Sequence, residues 1–77
     1  MTSAHEKFRQ SLIKTLYEVR KARGYSHEAI AVKAKISRQT LGKIENGQAN
    51  PTMLTMFKIT SAMDMSMEEF IIAMKKH

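Results

Sequence analysis

Ser26-His27-Glu28-Ala29-Ile30-Ala31-Val32-Lys33-Ala34-Lys35-Ile36-Ser37-Arg38-Gln39-Thr40-Leu41-Gly42-Lys43-Ile44-Glu45-Asn46-Gly47 reads as two short helices joined by a tight turn. Ser26 is a good N-cap for the first, with Glu28 in its first turn, where a negative charge meets the positive end of the helix. Ala29, Ile30 and Ala34 supply apolar contacts, and Ala31 is small enough to let another helix cross closely. Ile36 brings an apolar side chain inward from the turn. Ser37 caps the second helix; Leu41 and Ile44, three residues apart, face the core, and Asn46-Gly47 end the helix. The residues between Leu41 and Ile44, and those before them, then point outward. A pair of helices crossing this way is the helix-turn-helix layout.

Outward from this pair, the same signals recur. Ser3 and Glu6 have capping-box spacing at the start of a first helix. Phe8, Leu12, Leu16 and Val19 follow at helical spacing, with Ile13 widening the stripe, and Gly24 closes the helix in a left-handed conformation. After Asn50-Pro51, Thr52 caps a fourth helix whose apolar content is Leu54, Phe57, Ile59 and Ala62. Ser66 and Glu69 form a second capping box, opening a fifth helix with a Phe70, Ile71, Met74 stripe. No hairpin signal, repeat or linker interrupts the pattern. The expectation is one all-α domain of five helices over residues 1–77, with the helix-turn-helix at about 26–46.

Seventy-seven residues support a single modest core, which excludes a large enzyme barrel or a regulator with a separate effector domain. The chain has no cysteine, so a disulfide framework and cysteine-ligated metal sites are excluded. His5, His27 and His77 are far apart in sequence and have no metal-site spacing; no metal and no cofactor are expected. No Gly-rich phosphate loop after a strand and no Ser/His/Asp set is present, so the chain reads as a non-enzyme. No apolar run is long enough to span a membrane. The segment Met1-Thr2-Ser3-Ala4-His5-Glu6 has no apolar signal-peptide core. The expected location is therefore the cytoplasm, away from any membrane.

The net charge of +6 is concentrated. Residues 20–43 hold Arg20, Lys21, Arg23, Lys33, Lys35, Arg38 and Lys43 against Glu28 alone, while cations and anions balance in the rest. A basic segment that coincides with a helix-turn-helix points to an anionic partner.

The sequence resembles the Cro/cI-type (Xre-like) helix-turn-helix regulators of phage and bacteria. The resemblance runs from about Leu12 to Phe70. It is carried by Leu16-Tyr17-Glu18-Val19-Arg20, by Gly24 to Ala31, and by Ile36 to Gly47, followed by Asn50-Pro51-Thr52; Ile44-Glu45-Asn46-Gly47 before Asn50-Pro51 is its most telling part. It implies double-stranded DNA as partner, with the second helix of the motif in the major groove. Arg38, Gln39 and Lys43 are then the base readers: Arg or Lys suits guanine O6 and N7, and Gln suits adenine N6 and N7. Thr40 would meet a methyl or a phosphate. Ser37, His27, Asn46, Lys35 and Lys33 are the expected phosphate contacts, with Asn46 equally readable as a helix terminator. In the family, the positions of Arg20 and Glu45 form an ion pair joining the first helix to the third.

Three positions depart from the family pattern. His27 stands where Gln usually clamps a phosphate. The turn has Lys35, or Lys33 nearby, where a left-handed Gly is common. Gly42 lies inside the reading helix, either for close approach to DNA or as a neutral surface glycine.

Seven methionines, six of them from Met53 onward, suit irregular core gaps and adaptable surfaces. Phe70-Ile71-Ile72 are consecutive on a helix and cannot all face one small core. With Met67 and Met74 they are the expected homodimer surface, within about residues 60–77. The reading that follows is a dimeric repressor acting by operator occupancy on a palindromic site. The alternatives are an antitoxin-type regulator and a protein-interaction module acting through the Met-rich C-terminal surface.

Overall fold

The structure is a computed structural model that describes residues 3–76. Met1, Thr2 and His77, which entered the readings of the N-terminus and of the histidine spacing, lie outside the described residues. Five helices follow in order: α1 Ala4–Ala22, α2 His27–Ala34, α3 Arg38–Glu45, α4 Met53–Ala62 and α5 Met67–Lys75. Each begins where a hydroxyl side chain can replace the missing helical acceptor. Ser3, Ser26, Ser37, Thr52 and Ser66 accept the backbone N–H of Glu6, Ala29, Thr40, Thr55 and Glu69 at 2.9–3.1 Å. Such a cap stabilises its helix by about 1 kcal/mol. At α5 the box is complete, since the Ser66 N–H also donates to Glu69 Oε1 at 2.9 Å. That amide, with the Ser66 hydroxyl, holds the Glu69 carboxyl below its ordinary value. At α1 the expected box has only the Ser3 half: the Glu6 carboxylate turns instead to Arg9 Nη1 at 3.1 Å, one helical turn away.

Four helices close alike. One or two residues past each, the chain enters the left-handed region, at Gly24, Lys35, Gly47 and Asp64. The next amide then reaches back over the last turn, from Tyr25 to Arg20, Ile36 to Ala31, Gln48 to Lys43 and Met65 to Thr60. Of the two lysines weighed for the turn between α2 and α3, Lys35 is the left-handed one (φ 58°, ψ 43°).

Leu16, Ile30, Leu41, Ile44, Ile59, Met63 and Phe70 form the centre of the core, each at most 1% exposed. α2 packs on α3 and α4, α1 on α3 and α5, and α4 on α5. Four apolar side chains of the sequence stripes lie outside: Phe8 is 60%, Leu54 62%, Phe57 56% and Ile71 46% exposed. The core is small, and α4 fills it with Met56, Ile59, Thr60 and Ala62 instead.

Of the five side chains expected at a dimer surface on α5, two belong elsewhere. Phe70 and Met74 are core side chains, Met67 is partly buried against the core, and Ile71 and Ile72 are exposed. Successive helical residues are turned by about 100°, so only one of three neighbours can face inward, and Phe70 takes that place.

Candidate nucleic-acid interface

The outer face of α3 carries Arg38 and Gln39 in its first turn and Lys43 one turn on, in line with Gln39; all three are exposed. Leu41 and Ile44, wholly buried, fix the rotation of the helix and so aim that face outward. No hydrogen bond or ion pair among the described residues engages these three side chains, so they are available to a partner. Thr40 differs. Its hydroxyl lies 2.7 Å from Ser37 Oγ, which also accepts the Thr40 amide at 2.9 Å. Both hydroxyls belong first to the helix cap, and the Thr40 methyl remains for an apolar contact. Gly42 has open space where a Cβ would stand.

Beside this face, between the start of α2 and the start of α3, lies a groove of about 620 Å³ lined by Lys21, His27, Glu28 and Arg38, among others. Beneath it sits the Arg20–Glu45 pair. Arg20 Nε and Nη2 donate to the two Glu45 carboxylate oxygens at 2.7 and 3.1 Å, and Nη1 donates to the Tyr25 carbonyl at 2.9 Å. Both side chains are under one-tenth exposed. The two-pronged geometry joins α1 to the end of α3 and leaves no guanidinium edge idle.

The phosphate candidates are spread around this centre. His27 Nε2 lies 3.0 Å from Glu45 Oε1, so the imidazole extends the ion pair into a three-residue network that links α1, α2 and α3. Lys35 is exposed on the left-handed turn residue. Lys33 leans the other way, over the Tyr25 ring at 5.4 Å and 4.0 Å from Asp64, whose carboxylate accepts the Tyr25 hydroxyl at 3.0 Å. Asn46 is the C-cap of α3, its N–H bonded to the Gly42 carbonyl at 2.9 Å, with the side chain exposed.

Two arginines have structural roles that their spacing does not reveal, Arg9 and, from the basic segment, Arg23. Arg9 binds the Asn50 side chain at 3.0 Å, the Glu6 carboxylate and the Gly47 carbonyl, clamping the loop after α3 to α1. Arg23 Nη1 donates to the Met63 carbonyl at 2.8 Å and so closes the end of α4. The Glu6/Arg9 spacing is a local signal; the partners some forty residues away left none. Among the described residues no cluster of His, Asp and Glu could hold a metal ion. No helix among them is long and apolar enough to cross a membrane.

A helix-turn-helix family model matches residues 16–70, most of the chain, from the core of α1 to the inward Phe70 of α5. The chain belongs to the Xre/Cro-cI-like helix-turn-helix family. Among its relatives in that family is the HTH-type transcriptional regulator SutR of Escherichia coli K12, 32% identical over 66 residues. The match covers 86% of this chain but only 37% of SutR, so the chain spans little more than a third of that protein. YgzD of Bacillus subtilis, an uncharacterized HTH-type transcriptional regulator, is 38% identical over 52 residues, covering 68% of this chain and 79% of YgzD. Among solved helix-turn-helix structures, the restriction-modification controller protein C.AhdI of Aeromonas hydrophila is 30% identical. It superposes with a TM-score of 0.73 over 78% of this chain and 91% of that one. The controller protein C.Esp1396I, at 20% identity, shares the fold with a TM-score of 0.83 over 88% of this chain and 87% of that one.

Proposed function

We propose that this chain, a DNA-binding helix-turn-helix transcriptional regulator, works in the cytoplasm as a dimeric repressor that occupies a palindromic operator. The observation that carries the reading is the outer face of α3. Arg38, Gln39 and Lys43 stand there without a hydrogen-bond or ion-pair partner among the described residues, aimed outward by the buried Leu41 and Ile44, with a cationic groove alongside. In this reading α3 enters the major groove and the three side chains read base edges, with the Thr40 methyl available to a thymine. Phosphates are met by Lys35, by the Asn46 and Ser37 region, by His27 and Lys21 in the groove, and by Lys33 where it can leave Asp64. The whole described fold, residues 3–76, acts as one DNA-binding unit. Phosphate contacts set the register and base contacts the sequence.

The second copy is seated on an apolar face opposite in character to the basic one. Phe8, Leu12, Pro51, Met53 and Ile71 line a cleft of about 240 Å³ between α1, α4 and α5, and Phe57 continues it one turn along α4 from Met53. Met53 is 80% exposed, and Phe8, Phe57 and Ile71 about half or more. A continuous apolar surface of this kind on so small a protein marks an interface. A twofold arrangement then presents two α3 helices to half-sites about 34 Å apart.

Selection from random duplex DNA at about 150 mM salt tests the reading. A palindromic consensus is expected, and Gln39→Ala is expected to relax it at one or two positions per half-site. Recovery of no consensus would overturn sequence-specific reading; an unchanged consensus would remove Gln39 from the base readers.

A further inference from the structure

We infer that the contact of His27 with a DNA phosphate is proton-gated: the Glu45 carboxylate takes the only proton of the neutral imidazole, so the ring can donate to a phosphate only as imidazolium. The inference rests on the reading of this chain as a DNA-binding protein. It follows from donor and acceptor chemistry. A carboxylate has acceptors alone, so the imidazole nitrogen 3.0 Å from Glu45 Oε1, Nε2, carries hydrogen in either charge state. In the neutral ring that leaves Nδ1 with a bare lone pair. A phosphate oxygen also offers only lone pairs, so a neutral His27 and a phosphate repel. Protonation at Nδ1 converts repulsion into a charge-assisted hydrogen bond.

Glu45 is the positioning residue of this gate. Arg20 fixes its carboxylate from α1 with two hydrogen bonds, and the carboxylate in turn fixes the ring at the start of α2. The charged groups around the ring are Arg20 and Lys21 from α1, Glu28 from α2, and Arg38 and Glu45 from α3. Glu45 is already shared with Arg20, and Lys21 and Arg38 line the same groove as cations. A phosphate arriving there supplies the negative charge that draws a proton onto Nδ1. Duplex binding therefore takes up protons, and affinity rises as pH falls through the histidine range. A glutamine at position 27 escapes the gate, because its amide donates at every pH.

The test is a titration of the full chain with the duplex recovered by selection, or with a random-sequence duplex if selection recovers none. It runs by fluorescence anisotropy from about pH 5.5 to 8.5 at constant salt. The wild-type dissociation constant is expected to fall with falling pH, by up to about tenfold per pH unit for each protomer. His27→Gln is expected to bind with little pH dependence, and His27→Ala to lack the gain in affinity that wild type shows as pH falls. His27 is more than a third exposed, so both variants keep the fold, and far-UV circular dichroism checks this. Nitrogen-15 spectra of the free protein at high pH are expected to show the His27 ring protonated at Nε2. A neutral ring protonated at Nδ1, a flat wild-type profile, or an equal slope in His27→Gln would each overturn the gate while leaving DNA binding standing. Absence of wild-type binding to any duplex at any pH would overturn the DNA reading as well.

Discussion

Arg20 lies on the buried side of α1 with every edge of its guanidinium engaged, on Glu45 twice and on the Tyr25 carbonyl. Its removal would leave Glu45 a buried carboxylate with only His27 to answer it. Stripping one partner from a buried pair costs about 3–5 kcal/mol. In a domain of this size each kcal/mol moves the melting temperature by about 4–8 °C. Arg20→Ala is therefore expected to lower the calorimetric Tm by well over ten degrees; a loss of a degree or two would show that the pair does not hold α1 to α3. Gly42 makes an opposite prediction. A Cβ there meets nothing, so Gly42→Ala is expected to raise stability by up to about 1 kcal/mol through helix propensity alone. If the glycine serves close approach to DNA, the same variant loses affinity while gaining stability, and equilibrium unfolding read beside anisotropy separates the two roles.

Among the elements, two of the four left-handed closures are not glycine, Lys35 and Asp64; aspartate tolerates that region, whereas a lysine at φ 58° costs about 1 kcal/mol that glycine avoids. Lys35→Gly is expected to move the denaturation midpoint upward by an amount equivalent to several tenths of a kcal/mol, with α2 and α3 unchanged in circular dichroism. A lower midpoint would mean that the lysine stem contributes more than its backbone costs.

The helix starts were legible in the sequence because a cap is a local event: each of the five hydroxyl residues sits three positions before the amide it binds. The left-handed turn was legible only to within two lysines, because no glycine marks it. Phe8, Leu54 and Phe57 misled because apolar spacing shows which residues share a face but not which face the core needs. The Arg9 clamp, the Arg23 cap and the His27–Glu45 contact were illegible from spacing. Each joins residues that only the tertiary fold brings together, whereas Arg20–Glu45 was reached through the family resemblance.

Taken whole, the molecule has two unlike sides, a basic one around α2 and α3 and an apolar one between α1, α4 and α5. The exposed Ile71 offers a clean test of the second. Ile71→Asp is expected to keep the monomer fold and its melting behaviour but to halve the mass seen by light scattering; a persisting dimer would move the interface elsewhere. The same charge at Phe70, buried in the core, would unfold the chain and test nothing about assembly. DNA affinity should also drop steeply with added salt, because each phosphate contacted releases bound counterions.

That no hydrogen bond or ion pair among the described residues engages Arg38, Gln39 and Lys43 has a consequence for how such a protein diversifies. Caps, closures and the Arg20–Glu45–His27 network hold the scaffold without help from the reading face. Its three side chains are therefore open to exchange at almost no cost in folding, and on the proposed reading a lineage built on this chain moves to new operators by substitutions confined to one exposed strip of a single helix.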